Sequence, residues 1–268
     1  MTTKPQKQNY RNAISRVAGY IANISRPKFF VKTIIKLYVK FYKIDLSQFI
    51  VPENFFETFN DFFTRKIKDN LRIIQEDIVS PIDGALLDCG KVNKEQKITV
   101  KDRTYFLTDL LGTEFKNLKS YAVFYLAPGN YHRVHAGFDM NITDIKYLPG
   151  TLRPVKIKVI DKRDRVYCRN ERIIITGDCK YGKFYFILVG ALFVGKIKLS
   201  FDSGLSTNIR KGIASEKIFP EKIIIQKGKE VGYFEMGSSV VIVMEDECLN
   251  NLDPEKNSNL QYGRSLIF

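Results

Sequence analysis

The chain has 268 residues, 44% of them hydrophobic and 27% charged, and its 43 Lys and Arg against 29 Asp and Glu give a formal net charge of +14. This composition excludes wholesale disorder, and no stretch approaches the roughly 18 uninterrupted apolar residues that a membrane-spanning helix requires. The polar start leads into no apolar core with a cleavage site, so no secretory signal is expected.

Cysteine and histidine usage narrows the class of protein further. The four cysteines are scattered, without a Cys-x-x-Cys pair, which argues against a disulfide framework or a zinc knuckle and favours a reducing compartment. The chain has two histidines, so no His-rich metal site is expected. The sequence therefore predicts an intracellular protein, soluble or on a membrane surface, with no metal.

Helical spacing of apolar residues fills the first quarter of the chain. It predicts helices over 12–24 and 27–44, with Pro27 in a first turn, and a third helical face over 55–67. Residues 1–45 hold ten basic side chains and one acidic side chain. Much of the positive charge therefore lies in this section.

A cationic stripe and an apolar face share the second predicted helix. The stripe repeats every four residues and consists of Lys28, Lys32, Lys36 and Lys40, and the apolar face includes Phe29 and Phe30. This pattern suits a helix lying in the headgroup region of an anionic membrane, but it equally suits a helix packed on the protein's own core. Nucleic acid is not an expected partner, because the chain lacks zinc-finger spacing, an aromatic RNP-like segment and Arg clusters beside Asn or Gln.

From residue 80 onward the pattern changes to short β-branched and aromatic runs separated by Gly, Pro, Asn or Asp. These runs predict strands over 121–126, 173–176, 184–189, 197–201, 223–226 and 240–244. They do not alternate with long helices, which argues against a doubly wound parallel sheet. The predicted fold class is α+β, with a helical section (1–75) docked on a β-rich, mainly antiparallel body (76–268).

Four segments carry residues suited to chemistry. Asp83 lies in a Ser-Pro-Ile-Asp-Gly turn, and both histidines, His132 and His135, follow a Pro-Gly-Asn turn. Imidazole is the side chain best suited to accept and return a proton at neutral pH. A glycine-containing apolar run, 188–197, and a Gly237-Ser238 bond before an apolar strand complete the set.

Each segment also has an ordinary structural interpretation. The aspartate suits a plain turn, the histidines suit structural roles, and the glycines of 188–197 suit core packing or a bulge inside a strand. A Gly-Ser bond suits a plain turn, although it is also what a self-cleaving serine requires, since glycine gives the peptide unusual freedom. The residues alone leave these alternatives open.

In their order along the chain, these segments resemble the phosphatidylserine decarboxylases of the prokaryotic type, a pyruvoyl-dependent family that makes phosphatidylethanolamine. The resemblance runs from about residue 59 to the end and covers the family's FNxFFxR, SPxDG and YHRxH motifs, the Asn170-Glu171-Arg172 segment, the 189–197 run and the 227–238 run. The family's Leu-Gly-Ser-Thr cleavage motif reads Met236-Gly237-Ser238-Ser239 here. The Gly-Ser bond is kept.

The resemblance implies a lyase made as a zymogen. Asp83, His135 and Ser238 would act like a serine-protease triad on the chain itself, cutting it into a β chain, 1–237, and an α chain, 238–268. Residue 238 would become a covalent pyruvoyl cofactor, and His132, or alternatively His135, would return a proton to the substrate carbon after loss of carbon dioxide.

The resemblance also implies partners and a location. The substrate would be phosphatidylserine in an anionic membrane, contacted by the lysine stripe with Phe29 and Phe30, and the two fragments would stay associated. The enzyme would be peripheral, on the cytoplasmic face (of the inner membrane in a bacterium), with a homodimer left open. Two alternatives remain: a pyruvoyl-dependent decarboxylase of a soluble amino acid, and a catalytically silent basic membrane-binding protein.

Overall fold

The structure of the protein, a computed structural model, describes residues 9–115, 117–155, 165–193, 196–205, 207–235 and 238–267. Its helices in these ranges are α1 (Tyr10–Ala22), α2 (Lys28–Tyr42), α3 (Phe59–Phe63), α4 (Leu107–Leu111) and α5 (Val166–Arg169), with a 3-10 turn at Leu46–Gln48. No helix of the described ranges is long and apolar enough to cross a bilayer.

Strands make up most of the body. They are β1 (Ala85–Lys91), β2 (Lys97–Val100), β3 (Arg103–Phe106), β4 (Ser120–Leu126), β5 (Arg133–His135), β6 (Met140–Leu148), β7 (Arg172–Cys179), β8 (Gly182–Gly190), β9 (Ile197–Leu199), β10 (Ser215–Ile225), β11 (Glu230–Phe234) and β12 (Ser238–Met244). A seven-stranded sheet has the order β1-β4-β12-β8-β7-β6-β10, a three-stranded sheet has the order β5-β11-β9, and β2 pairs with β3. Every pairing is antiparallel, which confirms the predicted α+β class.

Strand β12 lies in the middle of the large sheet, between β4 and β8. All seven of its residues are buried, because the strand has a neighbour on each side and core residues over both faces. This burial explains why β12 reads as a continuous apolar run instead of an alternating one. The strand begins at Ser238, so the fold places this serine at one end of its most buried strand.

One contact between the helical section and the body lies at the turn of residues 128–130. Helices α2 and α3 form their own apolar cluster, which contains Ile35 and Phe62. The Tyr38 hydroxyl donates to the carbonyl of Pro128 at 2.7 Å, and Arg65 Nη2 donates to the carbonyls of Gly129 and Asn130 at 3.2 and 3.3 Å. The turn that precedes His132 is therefore held by the helical section.

The third predicted helix is much shorter than expected. The interpretation of 55–67 as one helical face was wrong, because Phe55 has a φ of 66° and the helix begins only after Thr58. Thr58 and Asp61 form a capping box, which fixes that start. Helix α3 ends at Phe63, and Ile67 already bridges to Phe49 in an antiparallel pair.

The glycine-containing run 188–197 is not one strand. Strand β8 ends at Gly190 and β9 begins at Ile197, with Phe193 between them at a φ of 69°. The expectation of glycines inside an apolar strand was therefore wrong for Gly190, which lies at a strand end. Gly195 falls outside the described residues.

Candidate active site

Asp83 is held in a tight turn by the backbone around it. The Ser80 hydroxyl donates to the carbonyl of Ile82 at 2.7 Å, and Gly84 pairs with Leu260 in an antiparallel bridge. A Cβ on Gly84 would lie 2.3 Å from the carbonyl oxygen of Tyr125, so only glycine fits after this aspartate. The Ser-Pro-Ile-Asp-Gly pattern is thus explained by close packing of the turn on β4.

The Asp83 carboxylate has two strong partners. Oδ2 accepts from Arg72 Nη2 at 2.9 Å, and Oδ1 accepts from the backbone N–H of Tyr262 at 2.8 Å. Burial raises the pKa of Asp83, while the Tyr262 hydrogen bond and the Arg72 charge oppose this rise. This arrangement links the aspartate to the C-terminal segment of the chain.

His135 is enclosed by two hydrogen bonds and an aromatic ring. Its Nδ1 lies 2.9 Å from the carbonyl oxygen of Gly228, which can only accept, so Nδ1 carries the proton. Its Nε2 is then an acceptor and receives the Tyr131 hydroxyl at 3.1 Å. The Tyr262 ring stacks on the imidazole at 3.8 Å with an interplanar angle of 5°. Burial lowers the pKa of His135 to about 4, so the ring is neutral at pH 7.

His132 differs from His135 in having a free lone pair. Its Nδ1 donates to the carbonyl of Asn130 at 2.9 Å, which leaves Nε2 unprotonated. This Nε2 is buried and has no hydrogen-bond partner in the described part of the chain. The ring packs against Phe63 at 4.2 Å, and burial lowers the pKa of His132 to about 3. Because Nε2 of this buried, neutral imidazole is unprotonated and has no hydrogen-bond partner among the described residues, it can accept a proton.

Ser238 opens β12 opposite Leu126 of β4 and Gly190 of β8. Its hydroxyl is buried and, among the described residues, has no hydrogen-bond partner. Asn170 Nδ2 donates to the Gly190 carbonyl at 2.9 Å and so supports the strand end beside the serine. Met236 and Gly237, the other side of the predicted scissile bond, lie outside the described residues.

Strand pairing connects His132 to the neighbourhood of Ser238, whereas His135 pairs with Glu230, eight positions before the serine. Ser238 pairs with Leu126, where β4 ends, and the chain then turns through 127–130 to His132. The backbone N–H of Phe234 donates to the His132 carbonyl at 3.0 Å, and Phe234 is four positions before Ser238. His132 is therefore connected to the serine's neighbourhood through both β4 and β11. This convergence follows from pairing between distant strands and is invisible in the sequence.

The direct contact between Asp83 and His135 that the resemblance implied is not found. Both nitrogens of His135 are engaged by Tyr131 and Gly228, and the aspartate is engaged by Arg72 and Tyr262. The two side chains are instead joined through Tyr262, whose N–H binds Asp83 and whose ring covers His135.

Sequence reasoning also missed three residues of this cluster. Tyr131 is adjacent to the first histidine and could have been found as the one hydroxyl in that motif. Tyr262 is an aromatic residue in a C-terminal stretch of mixed polar and apolar residues, which is a weak signal. Nothing in the local pattern distinguishes Arg72.

The cationic stripe and its apolar neighbours are exposed. Lys28, Lys32, Lys36 and Lys40 are all exposed, as are Phe29 and Phe30, at 74% and 54%. At 3.6 residues per turn, Val31 and Ile35 face the body, the lysines flank them on one side, and a separate apolar face, with Phe30, Leu37 and Phe41, points outward. Helix α2 thus has a core face, a cationic face and a third face that is apolar and exposed.

Helix α1 is amphipathic, but its polar residues face the body and its large apolar residues face outward. Its buried positions are polar or small: Asn12 Nδ2 donates to the Gly150 carbonyl at 2.9 Å, and the Ser15 hydroxyl accepts from the N–H of Phe193 at 3.0 Å. Its large apolar side chains are exposed and include Ile14, Val17, Tyr20 and Ile21. An exposed apolar face of this kind is typical of a surface that meets a membrane or another protein.

Comparisons with known proteins identify the family of the chain. Residues 59–268 match the model of the family described as phosphatidylserine decarboxylase. The chain is 33% identical over 261 residues to a phosphatidylserine decarboxylase proenzyme of Helicobacter pylori (strain ATCC 700392 / 26695), covering 95% of this chain and 96% of that one. It is 33% identical over 263 residues to the proenzyme of that name from Campylobacter jejuni, covering 95% of each. It is 31% identical over 280 residues to the one from Legionella pneumophila (strain Corby), covering 99% and 97%.

Proposed function

The chain belongs to the phosphatidylserine decarboxylase family, and we propose that it converts phosphatidylserine to phosphatidylethanolamine after cutting itself between Gly237 and Ser238. The observation that supports the proposal is that the Ser238 hydroxyl and His132 Nε2 are both buried and both lack a hydrogen-bond partner in the described part of the chain. Buried polar groups are normally hydrogen-bonded, and exceptions concentrate at reactive sites.

The self-cleavage uses residues of this chain alone. The Ser238 oxygen attacks the Gly237 carbonyl carbon as its proton passes to a histidine, and the amide becomes an ester with a free amine on residue 238. Loss of the Cα proton of residue 238 then expels Gly237 as a carboxylate. Water replaces the nitrogen of the resulting dehydroalanine, ammonia leaves, and a pyruvoyl group remains at the start of the small fragment.

We assign the proton transfers from the hydrogen bonds of the two rings. His135 is the proposed base for Ser238, and it reaches the serine proton only when the Tyr131 hydroxyl turns away from Nε2 or passes a proton along. Asp83 fixes the Tyr262 backbone and so positions the ring that covers His135. His132 first takes up a proton at its free Nε2, for which the substrate's ammonium group is a source, and then gives that proton to the substrate carbon after carbon dioxide has left.

The neighbourhood of residue 238 suits the proposed cofactor. A pyruvoyl group supplies an electron sink for the electrons that departing carbon dioxide leaves behind. The residues around Ser238 exclude water, because β4 and β8 bury this end of β12 on both sides. Such a dry site favours loss of a charged carboxylate as neutral carbon dioxide.

The outward faces of α1 and α2 support a lipid substrate over a soluble amino acid. Burying an exposed apolar side chain yields about 1.5–3 kcal/mol, and both helices present several such side chains. The lysines beside them suit an anionic leaflet, where each contributes about 1 kcal/mol. We therefore propose peripheral attachment of the helical section, residues 1–75, to the cytoplasmic face of a membrane, with residues 76–268 as the catalytic body.

The test of the activity is release of carbon dioxide from phosphatidylserine vesicles by the purified protein. Ser238→Ala should be inactive, and Ser239→Ala, which removes the neighbouring buried hydroxyl, should remain active. Borohydride added with the substrate should attach label to the small fragment. Release from free serine but from no aminophospholipid would instead support the soluble-substrate alternative, and no release from either would support the silent membrane-binding alternative.

A further inference from the structure

Two loops of the catalytic body carry exposed apolar side chains next to α1. Loop 191–193 follows β8 and ends at Phe193, which is 48% exposed. Loop 207–213 precedes β10 and exposes Ile209 at 45% and Ile213 at 80%. We call Phe193, Ile209 and Ile213, with Arg210 and Lys211, the rim.

The rim is fastened to the inner, polar face of α1. The N–H of Phe193 donates to the Ser15 hydroxyl at 3.0 Å, and Arg16 Nη1 donates to Asn208 Oδ1 at 3.4 Å. Asn208 is held in turn by its N–H, which donates to Glu171 Oε1 at 2.7 Å. Helix α1 therefore lies across both loops, and its apolar outer face points away from them.

The composition of the rim matches that of an interfacial membrane segment. Two isoleucines flank two basic residues in one turn, which the Gly212 N–H closes on the Ile209 carbonyl at 3.3 Å. Basic side chains beside apolar ones are what an anionic headgroup layer binds. An interfacial helix sinks roughly 5–10 Å into that layer and is about 10–12 Å across, so exposed side chains beside α1 lie within a few ångströms of the same layer.

The rim also borders the candidate active site. Phe193 is three residues after Gly190, which pairs with Ser238, and three residues span at most about 10 Å. A cavity of about 260 Å³ lies between α1 and the body, lined in part by Arg16, Lys196, Asn208 and Glu235. Glu235 is three positions before Ser238. We take this cavity, which lies between α1 and Glu235, as the candidate mouth of the active site.

We infer that the rim is a second membrane-contacting element, which seats the mouth of the active site in the headgroup layer of an anionic bilayer. The inference rests on the proposed function, because that function is the reason for the protein to contact a bilayer. It does not require that α1 and α2 alone are sufficient for binding. A phospholipid headgroup at the bilayer surface would then need to rise only a short way to reach residue 238.

The absence of tryptophan from the chain allows a direct test. We would introduce single tryptophans into the full-length protein as Ile213→Trp and Phe193→Trp, with Phe29→Trp on α2 as the helix reporter. The control is Ile224→Trp on β10, which is exposed at 72% and lies eleven residues beyond Ile213 along an extended chain. Each protein is mixed with vesicles of phosphatidylglycerol and phosphatidylcholine with brominated acyl chains, which are not substrates.

The expected result is quenching at the rim positions comparable with that at Phe29→Trp, at least several-fold greater than at Ile224→Trp. Quenching at Phe29→Trp without quenching at either rim position would overturn the rim proposal and leave the proposed function intact. Absence of quenching at all positions would overturn both the rim proposal and the proposed membrane attachment, while carbon dioxide release would still report the reaction. Added Arg210→Glu and Lys211→Glu substitutions should weaken rim quenching, and unchanged quenching would contradict the role of the two charges.

Discussion

The two histidines are buried in the neutral form, and their burial makes the stability of the fold depend on pH. Each has a folded-state pKa far below the ordinary value of about 6.5, because burial penalises the imidazolium. At a pH between the folded-state pKa and the ordinary pKa of each histidine, the unfolded chain binds a proton that the folded chain does not. Lower pH therefore favours unfolding, and the contribution of neutral histidines to stability is fully present only above about pH 6.5.

The direction of this pH dependence can be measured through His132, whose folded-state pKa is about 3. In a Ser238→Ala background, which keeps the chain in one piece, stability should fall as the pH drops from 6.5 to 4.5. His132→Asn keeps a donor for the Asn130 carbonyl but cannot titrate, so the pH dependence should become shallower by about 1.4 kcal/mol per pH unit. Urea unfolding at several pH values measures this, and equal slopes in the two proteins would contradict a buried neutral His132.

Tyr131 tunes His135 through the hydrogen bond to Nε2. Burial is the main cause of the low pKa of His135. A donor to the Nε2 lone pair also favours the neutral ring, so Tyr131→Phe should raise the pKa of His135. If His135 is the base for Ser238, the acid limb of the self-cleavage rate moves to higher pH in this variant. The measurement is the rate of cutting of freshly synthesised chain against pH; a changed rate with an unmoved pH profile would show that Tyr131 acts only through packing.

At the scale of elements, the two faces of α1 have different roles: the inner face stabilises the fold, and we propose that the outer face binds a membrane. Its inner face is made of polar side chains with specific partners, and its outer face is apolar and exposed. In most surface helices the two faces are reversed. We therefore expect that removing a polar side chain from the inner face lowers the stability of the fold, and that removing an apolar side chain from the outer face does not.

A pair of substitutions on α1 tests this reversal. Asn12→Ala removes the hydrogen bond to Gly150 and half of the capping box with Asn9, and should cost about 1–2 kcal/mol of unfolding free energy. Val17→Ser, at a position 58% exposed, should leave the unfolding free energy unchanged and weaken binding to anionic vesicles. Denaturation and vesicle sedimentation measure the two effects; a large loss of stability in Val17→Ser would show that the outer face packs on the protein itself.

Elements differ in how far the sequence could predict them. The strands 121–126, 184–189 and 240–244 were predicted within a few residues, because central strands buried on both faces are continuous apolar runs. Helix α3 was overextended, because the positive φ at Phe55 and the cap at Thr58 are local choices that apolar spacing does not record. The arrangement of Tyr131, His135 and Tyr262 was not predicted, since it depends on pairing between segments more than a hundred residues apart.

At the scale of the whole molecule, self-cleavage would not release the small fragment. Strand β12 is hydrogen-bonded along its whole length to β4 on one side and β8 on the other. The chain after it returns to the first turn of the body, where Leu260 pairs with Gly84 and Leu266 bonds to Ile78. Cutting before Ser238 breaks one covalent bond and leaves these contacts in place.

The two fragments should therefore elute as one species from a sizing column in native buffer and separate only in denaturant. The buried apolar surface of β12 and the C-terminal leucines supports this outcome, since each buried side chain contributes about 1.5–3 kcal/mol. The measurement is native chromatography followed by denaturing electrophoresis of the peak. Loss of the small fragment in native buffer would contradict the central position of β12.

The most direct measurement is the mass of the purified protein under denaturing conditions. The account predicts two chains, residues 1–237 and 238–268, with a pyruvoyl group in place of the serine at the start of the smaller one, and a single uncut chain for Ser238→Ala. An active wild-type protein that is uncut, or whose residue 238 is an ordinary serine, would contradict it.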